Sequence, residues 1–92
     1  MNIGFAHLTL LRVLSECEFN LSRASEVLGI SQPSASRRLR EFETEAGSPL
    51  VLRHGRRITG LTPLGARMSA PIREVATALS HLEALVDEHH AV

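Results

Sequence analysis

Between residues 32 and 40 stand Gln32, Ser34, Ser36, Arg37, Arg38 and Arg40, a run of hydrogen-bonding side chains interrupted by Pro33, Ala35 and Leu39. Glutamine can bond an adenine edge, arginine forks onto guanine, and serine both donates and accepts. These are side chains suited to reading base edges in a major groove. A second set surrounds Gly55: Arg53, His54, Arg56 and Arg57. Basic side chains packed this densely suit a phosphate backbone or a narrow minor groove. Each set also has a plainer reading, a solvated polar face and a solubilising loop. The elements that must carry the two sets tip the balance towards DNA.

The first set sits on a helix expected over 32–46. Ser31 caps it, and Pro33 lies in its first turn, where a missing N–H costs nothing. Ala35, Leu39, Phe42 and Ala46 make its buried stripe, at steps of four, three and four. The polar set falls off that stripe, in the first two turns, which is the part of a recognition helix that enters the major groove. The helix N-terminus itself attracts phosphate. Gly47 ends the helix.

A shorter helix is expected just before it, over 23–28, capped by Ser22 and turned inward at Ala24, Val27 and Leu28. Gly29 follows at once, Ile30 points inward, and Ser31 opens the next helix. Two short helices joined by a tight turn containing glycine form a helix-turn-helix. A helix over 3–17, built on Ile3, Leu8, Leu11 and Leu14, precedes them, widened by Leu10 and Val13. Residues 16–20 read as a loop. After Gly47 the rhythm changes. Leu50 and Leu52 alternate with Val51 and Arg53, and Ile58 follows the Gly55-Arg56-Arg57 turn, so 49–62 reads as a two-stranded hairpin with a basic tip.

Thr62 and Pro63 open a last helix that can run to about residue 90, roughly 42 Å at 1.5 Å per residue. Met68, Ile72, Val75, Leu79, Leu82 and Val86 step by four and three along it, a heptad seam. Met68 and Ile72 can pack on their own domain. Leu79 to Val86 lie too far out for so small a domain to cover, and an exposed apolar stripe of that length needs a partner.

Composition bounds the rest. Ninety-two residues suffice for one small domain, and 43% hydrophobic with 22% charged residues argues against disorder. With three Phe and neither Tyr nor Trp, the core must be aliphatic. Net charge is zero but unevenly laid out. Residues 31–67 hold seven Arg and three Glu, a balance of +4, and the remainder holds three Arg and seven acids, a balance of −4. One face is therefore suited to an anionic partner. The single cysteine, Cys17, excludes an intramolecular disulfide and fits a reducing compartment. Neither a long apolar stretch nor a signal peptide is visible, so no membrane partner and a cytoplasmic location are expected. His81, His89 and His90 with Asp87 match no metal-ligand spacing, so no metal is expected. Glu41, Glu43 and Glu45 read as a solvated, salt-bridging face. No constellation supports catalysis or a cofactor, so the chain is not expected to be an enzyme.

The stretch SRASEVLGISQPSASRRLREFETEAGSPLVLRHGRRITGLTPLGARM resembles the LysR-type signature. It carries S-Q-P-S-x-S-R at 31–37, E-x-E-x-x-x-G-x-x-L at 41–50 and L-T-P-x-G at 61–65. The wing is similar to the CysB-like branch of that family. The resemblance implies base-reading roles for Gln32, Pro33, Ser36 and Arg37, and backbone or minor-groove contacts for Ser31, Ser34, Arg53 and Thr62. It also implies a linker helix that pairs with its mate. Val51 stands where the family usually has Phe, a change expected to alter packing rather than readout.

The expected fold is mostly α: a winged helix-turn-helix of three helices and a two-stranded wing over 1–62, then a dimerising linker helix over 63–92. The expected function is sequence-specific regulation of transcription, by a homodimer on an inverted repeat of double-stranded DNA. Ser22, Arg38, Arg40, His54, Arg56 and Arg57 join the backbone contacts, and Met68, Ile72, Val75, Leu79, Leu82 and Val86 form the dimer seam. A small-molecule effector would act through a further domain that this chain is expected to lack. The alternative is a protein-interaction module whose long helix forms mixed dimers with a longer regulator.

Overall fold

A computed structural model describes residues 2–91. Among them are helices α1 (Phe5–Glu16), α2 (Leu21–Leu28), α3 (Gln32–Ala46) and α4 (Pro63–His90), with strands β1 (Val51–His54) and β2 (Arg57–Leu61) between α3 and α4. The three short helices close around Leu10, Leu11, Leu14, Leu39, Phe42 and Leu50, all fully buried. The aliphatic core expected from the composition is thus centred on one Phe.

α1 starts at Phe5 rather than residue 3, with Gly4 as its cap residue and the Gly4 N–H donating to His7 Nδ1 at 2.9 Å. It ends in a tight turn in which Glu18 and Phe19 both take positive φ, 56° and 65°. Non-glycine residues hold such angles where their surroundings enforce them. Here the half-buried Phe19 side chain packs on the core, and its N–H reaches the Leu14 carbonyl at 2.8 Å.

α2 corrects the expected register. Its cap is Asn20, whose side chain accepts from the Arg23 N–H at 3.0 Å, not Ser22. Both residue types cap well, but the earlier start lets Leu21 pack on the core. Val27, expected inside, is 64% exposed, and Ser25 is buried in its place with its hydroxyl donating to the Leu21 carbonyl at 2.7 Å. Gly29 closes the helix in the left-handed conformation, φ +68°. α3 runs as expected, with Ser31 Oγ accepting from the Ser34 N–H at 3.2 Å and Gly47 as its left-handed end.

The wing turns in two residues, Gly55 and Arg56. Gly55 holds φ +62°, a value glycine takes without steric cost. Arg57 is therefore already in β2, paired with His54. The expected alternation fails at the wing root, where Leu50 and Val51 are both buried and Leu52 is 49% exposed. Leu50 precedes the strand and belongs to the core, and the register slips again between Leu52 and Arg53.

α4 is capped by Thr62, whose Oγ1 accepts from the Gly65 N–H at 3.1 Å. Leu64, Met68 and Ile72 of this helix pack on the core, Ile72 being 6% exposed. Both Met68 and Ile72 thus pack on their own domain, the placement that the sequence left open for these two residues of the seam. Val75, Leu79, Leu82, Leu85 and Val86 remain exposed. Pro71 lies inside the helix just before the last buried residue, at the point where α4 leaves the core. The projecting helix stretches the molecule to 54 × 25 × 22 Å and its radius of gyration to 14.5 Å, against about 12 Å for a compact chain of this length. No helix among the described residues is long and apolar enough to cross a membrane.

Candidate nucleic-acid interface

The capping of α3 also organises its polar face. Ser31 Oγ donates to Ser34 Oγ at 2.9 Å, and Arg37 Nη2 reaches the same Ser34 oxygen at 3.4 Å. Arg40 Nη1 lies 3.5 Å from Ser36 Oγ. Two short chains of hydroxyls and guanidinium groups therefore run along the exposed side of the helix. Pro33, Arg37 and Arg40 stand opposite the buried Ala35 and Leu39, because about 100° separates successive residues. Gln32, Pro33, Arg37 and Arg40 are exposed, while Ser34, Ser36 and Arg38 are half-buried on the flanks. Guanidinium groups held this loosely keep most of their five donors free.

The helix-turn-helix and the wing meet around one open groove. It is lined by Glu16 and Glu18 around the end of α1, by Asn20, Ser22, Arg23 and Val27 of the α2 segment, by Gln32 at the start of α3, and by Arg56, Arg57, Ile58 and Thr59 of the wing. Thus the fold brings together Ser22, Gln32, Arg56 and Arg57, which are far apart in sequence. It also adds Arg23, which sequence reading missed. Arg23 is a surface cation in the first turn of a helix, with no local signal beyond its charge. Its place in the same groove as Arg56 and Arg57 is what singles it out.

Other expected contacts are placed differently. The Arg53 guanidinium lies against the Glu43 carboxylate, Nη2 to Oε1 at 3.2 Å, rather than free on the wing tip. Thr62 is committed within the fold. Its hydroxyl donates to the Pro49 carbonyl at 2.8 Å while capping α4, so it joins the wing to α4. His54 is exposed beside the turn. The acidic run of α3 is not uniformly solvated. Glu41 lies 3.8 Å from His7 Nε2 and Glu45 accepts from the Asn2 N–H, both at the surface. Glu43 is turned inward with its side chain 12% exposed. Its inward turn follows from the wing folding back over α3, which no spacing within α3 reveals.

Known proteins share this architecture. The chain is 34% identical over 79 residues to the HTH-type transcriptional regulator CysB of Thiocapsa roseopersicina, covering 86% of this chain and 58% of that protein. Among solved structures it is similar to Vibrio fischeri DarR in complex with DNA, with a TM-score of 0.80 and 30% identity over 96% of this chain and 30% of that one. It also shares its fold with the BenM_DBD/catB site 1 DNA complex, with a TM-score of 0.85 at 21% identity over 98% of this chain and 99% of that one. The family description "Bacterial regulatory helix-turn-helix protein, lysR family" matches residues 5–66. With the capped recognition helix, the turn before it and the wing after it all inside that match, the chain belongs to the LysR family of bacterial regulatory helix-turn-helix proteins.

Proposed function

We propose that this chain binds double-stranded DNA as a homodimer at an inverted-repeat operator and so regulates transcription in the cytoplasm, without catalysing a reaction. The observation that carries the reading is the arginine- and serine-bearing face of α3, standing clear of the core beside a groove that the wing closes with Arg56 and Arg57. Gln32, Pro33, Ser36 and Arg37 meet base edges. Ser22, Arg23, Ser31, Ser34, Arg38, Arg40, His54, Arg56 and Arg57 meet the backbone. The DNA complexes solved for DarR and BenM_DBD support the same use of the fold.

Residues 1–62 act as the reading head and 63–92 as the linker, rooted in the head by Leu64, Met68 and Ile72. The pairing seam is then Val75, Leu79, Leu82 and Val86 with Leu85, exposed along one chain. Phe5 of α1, 49% exposed, lines the same groove as Leu79 and widens the apolar strip. Charge selects the orientation. Residues 63–76 of α4 carry Arg67, Arg73 and Glu74, a balance of +1, and residues 77–90 carry Glu83, Asp87 and Glu88, a balance of −3. An antiparallel pair sets each acidic half beside a basic one, and a parallel pair sets acid on acid. Exposed pairs contribute at most about 1 kcal/mol each, enough to bias two otherwise similar packings.

Selection of bound sequences from a random DNA pool tests the whole reading. An inverted repeat should emerge, and binding to it should weaken linearly in log salt, with a slope of about 0.9 per phosphate contacted. A chain that pairs tightly yet enriches no sequence would instead be a partner for a longer regulator.

A further inference from the structure

A carboxylate of the recognition helix is built into the root of the wing. Glu43 Oε2 accepts from the Leu50 N–H at 2.7 Å and from the Val51 N–H at 3.4 Å. Its Oε1 accepts from Arg53 Nη1 and Nη2 at 3.3 and 3.2 Å. A carboxylate offers about four acceptor positions, and residues 50–53 use them all. Leu50 and Val51 are buried, so water is poorly placed to take over those two N–H groups. The Leu50 carbonyl is held in turn by the Thr62 N–H at 3.0 Å. The entry into β1 is therefore gripped by α3 from one side and by the cap of α4 from the other.

Arg53 is the outward end of this arrangement. Its side chain is 40% exposed, and it meets Glu43 through one oxygen, which leaves other N–H groups free. An arginine already fixed in direction loses less rotamer entropy when it meets a ligand. The negative charge behind it is neutralised by the same contact, so the pair presents donors rather than a repelling carboxylate.

We propose that Glu43 is a positioning residue for DNA binding: it sets the angle between the wing and the recognition helix and holds Arg53 ready for a backbone phosphate flanking the major-groove site. This rests on the DNA-binding reading above. Glu43 itself does not touch DNA.

The test uses the whole chain and two duplexes, one carrying the selected site with its flanks and one cut back so that the wing has nothing to meet. Glu43→Gln keeps the shape, but one amide oxygen cannot serve both Leu50 and Arg53. Arg53→Gln leaves the Leu50 and Val51 bonds untouched, so it remains informative if Glu43→Gln folds poorly in a melting experiment. Each variant should lose about tenfold on the long duplex and bind the short one like wild type. The double variant should lose no more than either single one, as expected for residues acting as a unit. Equal losses on both duplexes, additive losses, or wild-type binding of Arg53→Gln to the long duplex would overturn the proposal. Wild-type protein that bound neither duplex would instead remove the DNA-binding reading on which it rests.

Discussion

At the scale of the residue, similar side chains acquire different work from what lies behind them. Arg37 is exposed on the face of α3 opposite the core, its guanidinium 3.4 Å from Ser34 Oγ. Arg56 sits at the tip of a two-residue turn. On the proposed reading the first meets a base edge and the second a phosphate. Arg37→Ala should therefore cost about 1–3 kcal/mol on the selected site and little on random DNA. Arg56→Ala should weaken both alike and reduce the salt slope by about one. Titrations of both variants on both DNAs check the assignment, and equal losses for the two variants everywhere would refute it. Gly65 shows the opposite kind of constraint. A Cβ there would press into the carbonyl oxygen of Leu50, a backbone atom that cannot swing aside. Alanine gains about 1 kcal/mol of helix propensity but incurs an overpacking cost of about 1–3 kcal/mol or more. Gly65→Ala should be destabilised in a urea titration, and a more stable variant would show that α4 can shift away from the wing root.

At the scale of the element, α4 is one helix with two environments. Its first turns are part of the core, and beyond Ile72 it carries an apolar strip into solvent. Pro71 stands at the boundary, where it removes the hydrogen bond to the Arg67 carbonyl and crowds that carbonyl with its ring. Interior proline costs a helix up to about 3 kcal/mol relative to alanine. Pro71→Ala should thus raise the melting temperature, by an amount corresponding to about 1–3 kcal/mol. An unchanged melt would mean that α4 has already relaxed around the ring. The wing is the converse case, since a hairpin of two strands, four and five residues long, has little stability alone. It holds its place through Leu50 and Val51 in the core and through the Glu43 and Thr62 contacts at its root.

At the scale of the molecule, the long axis of 54 Å decides what two copies can do. Leu79→Glu with Leu82→Glu puts charge into the exposed strip, and unpaired buried charge is costly. The double variant should sediment as a monomer at micromolar concentration and lose affinity for the full operator, because two linked half-sites bind far more tightly than one. A dimer that survived would move the interface elsewhere. A two-fold pair carries its recognition helices into successive major grooves when they stand roughly 34–36 Å apart. An antiparallel pair of α4 helices, each roughly 42 Å long, spans that distance. Changing the half-site spacing by about five base pairs, half a turn of the duplex, rotates one half-site to the far face, so affinity should fall towards the single-site value. Undiminished binding would show that α4 is a tether rather than a rigid spacer.

Much of this is written locally in the chain. The α3 stripe of Ala35, Leu39, Phe42 and Ala46, the caps at Ser31 and Thr62 and the glycine stops at Gly29 and Gly47 are each set by a few neighbouring residues. Helix periodicity and capping are short-range, so the order of elements and the polar face of α3 were legible without coordinates. What tertiary structure decided depends on residues distant in sequence. The start of α2 went to Asn20 over Ser22 because Leu21 had a core to join. Val27 faces outward and Ser25 inward because packing against the neighbouring helices chose the face. Met68 and Ile72 went to the core of their own chain, a placement the heptad spacing alone left open. Arg23 became part of the groove, and Glu43 became the anchor of the wing, when the hairpin folded back over the helices. Sequence spacing states which face of an element is polar. Which of those polar groups face one another is fixed by packing between elements, through contacts as far as 13 residues apart at the wing root alone.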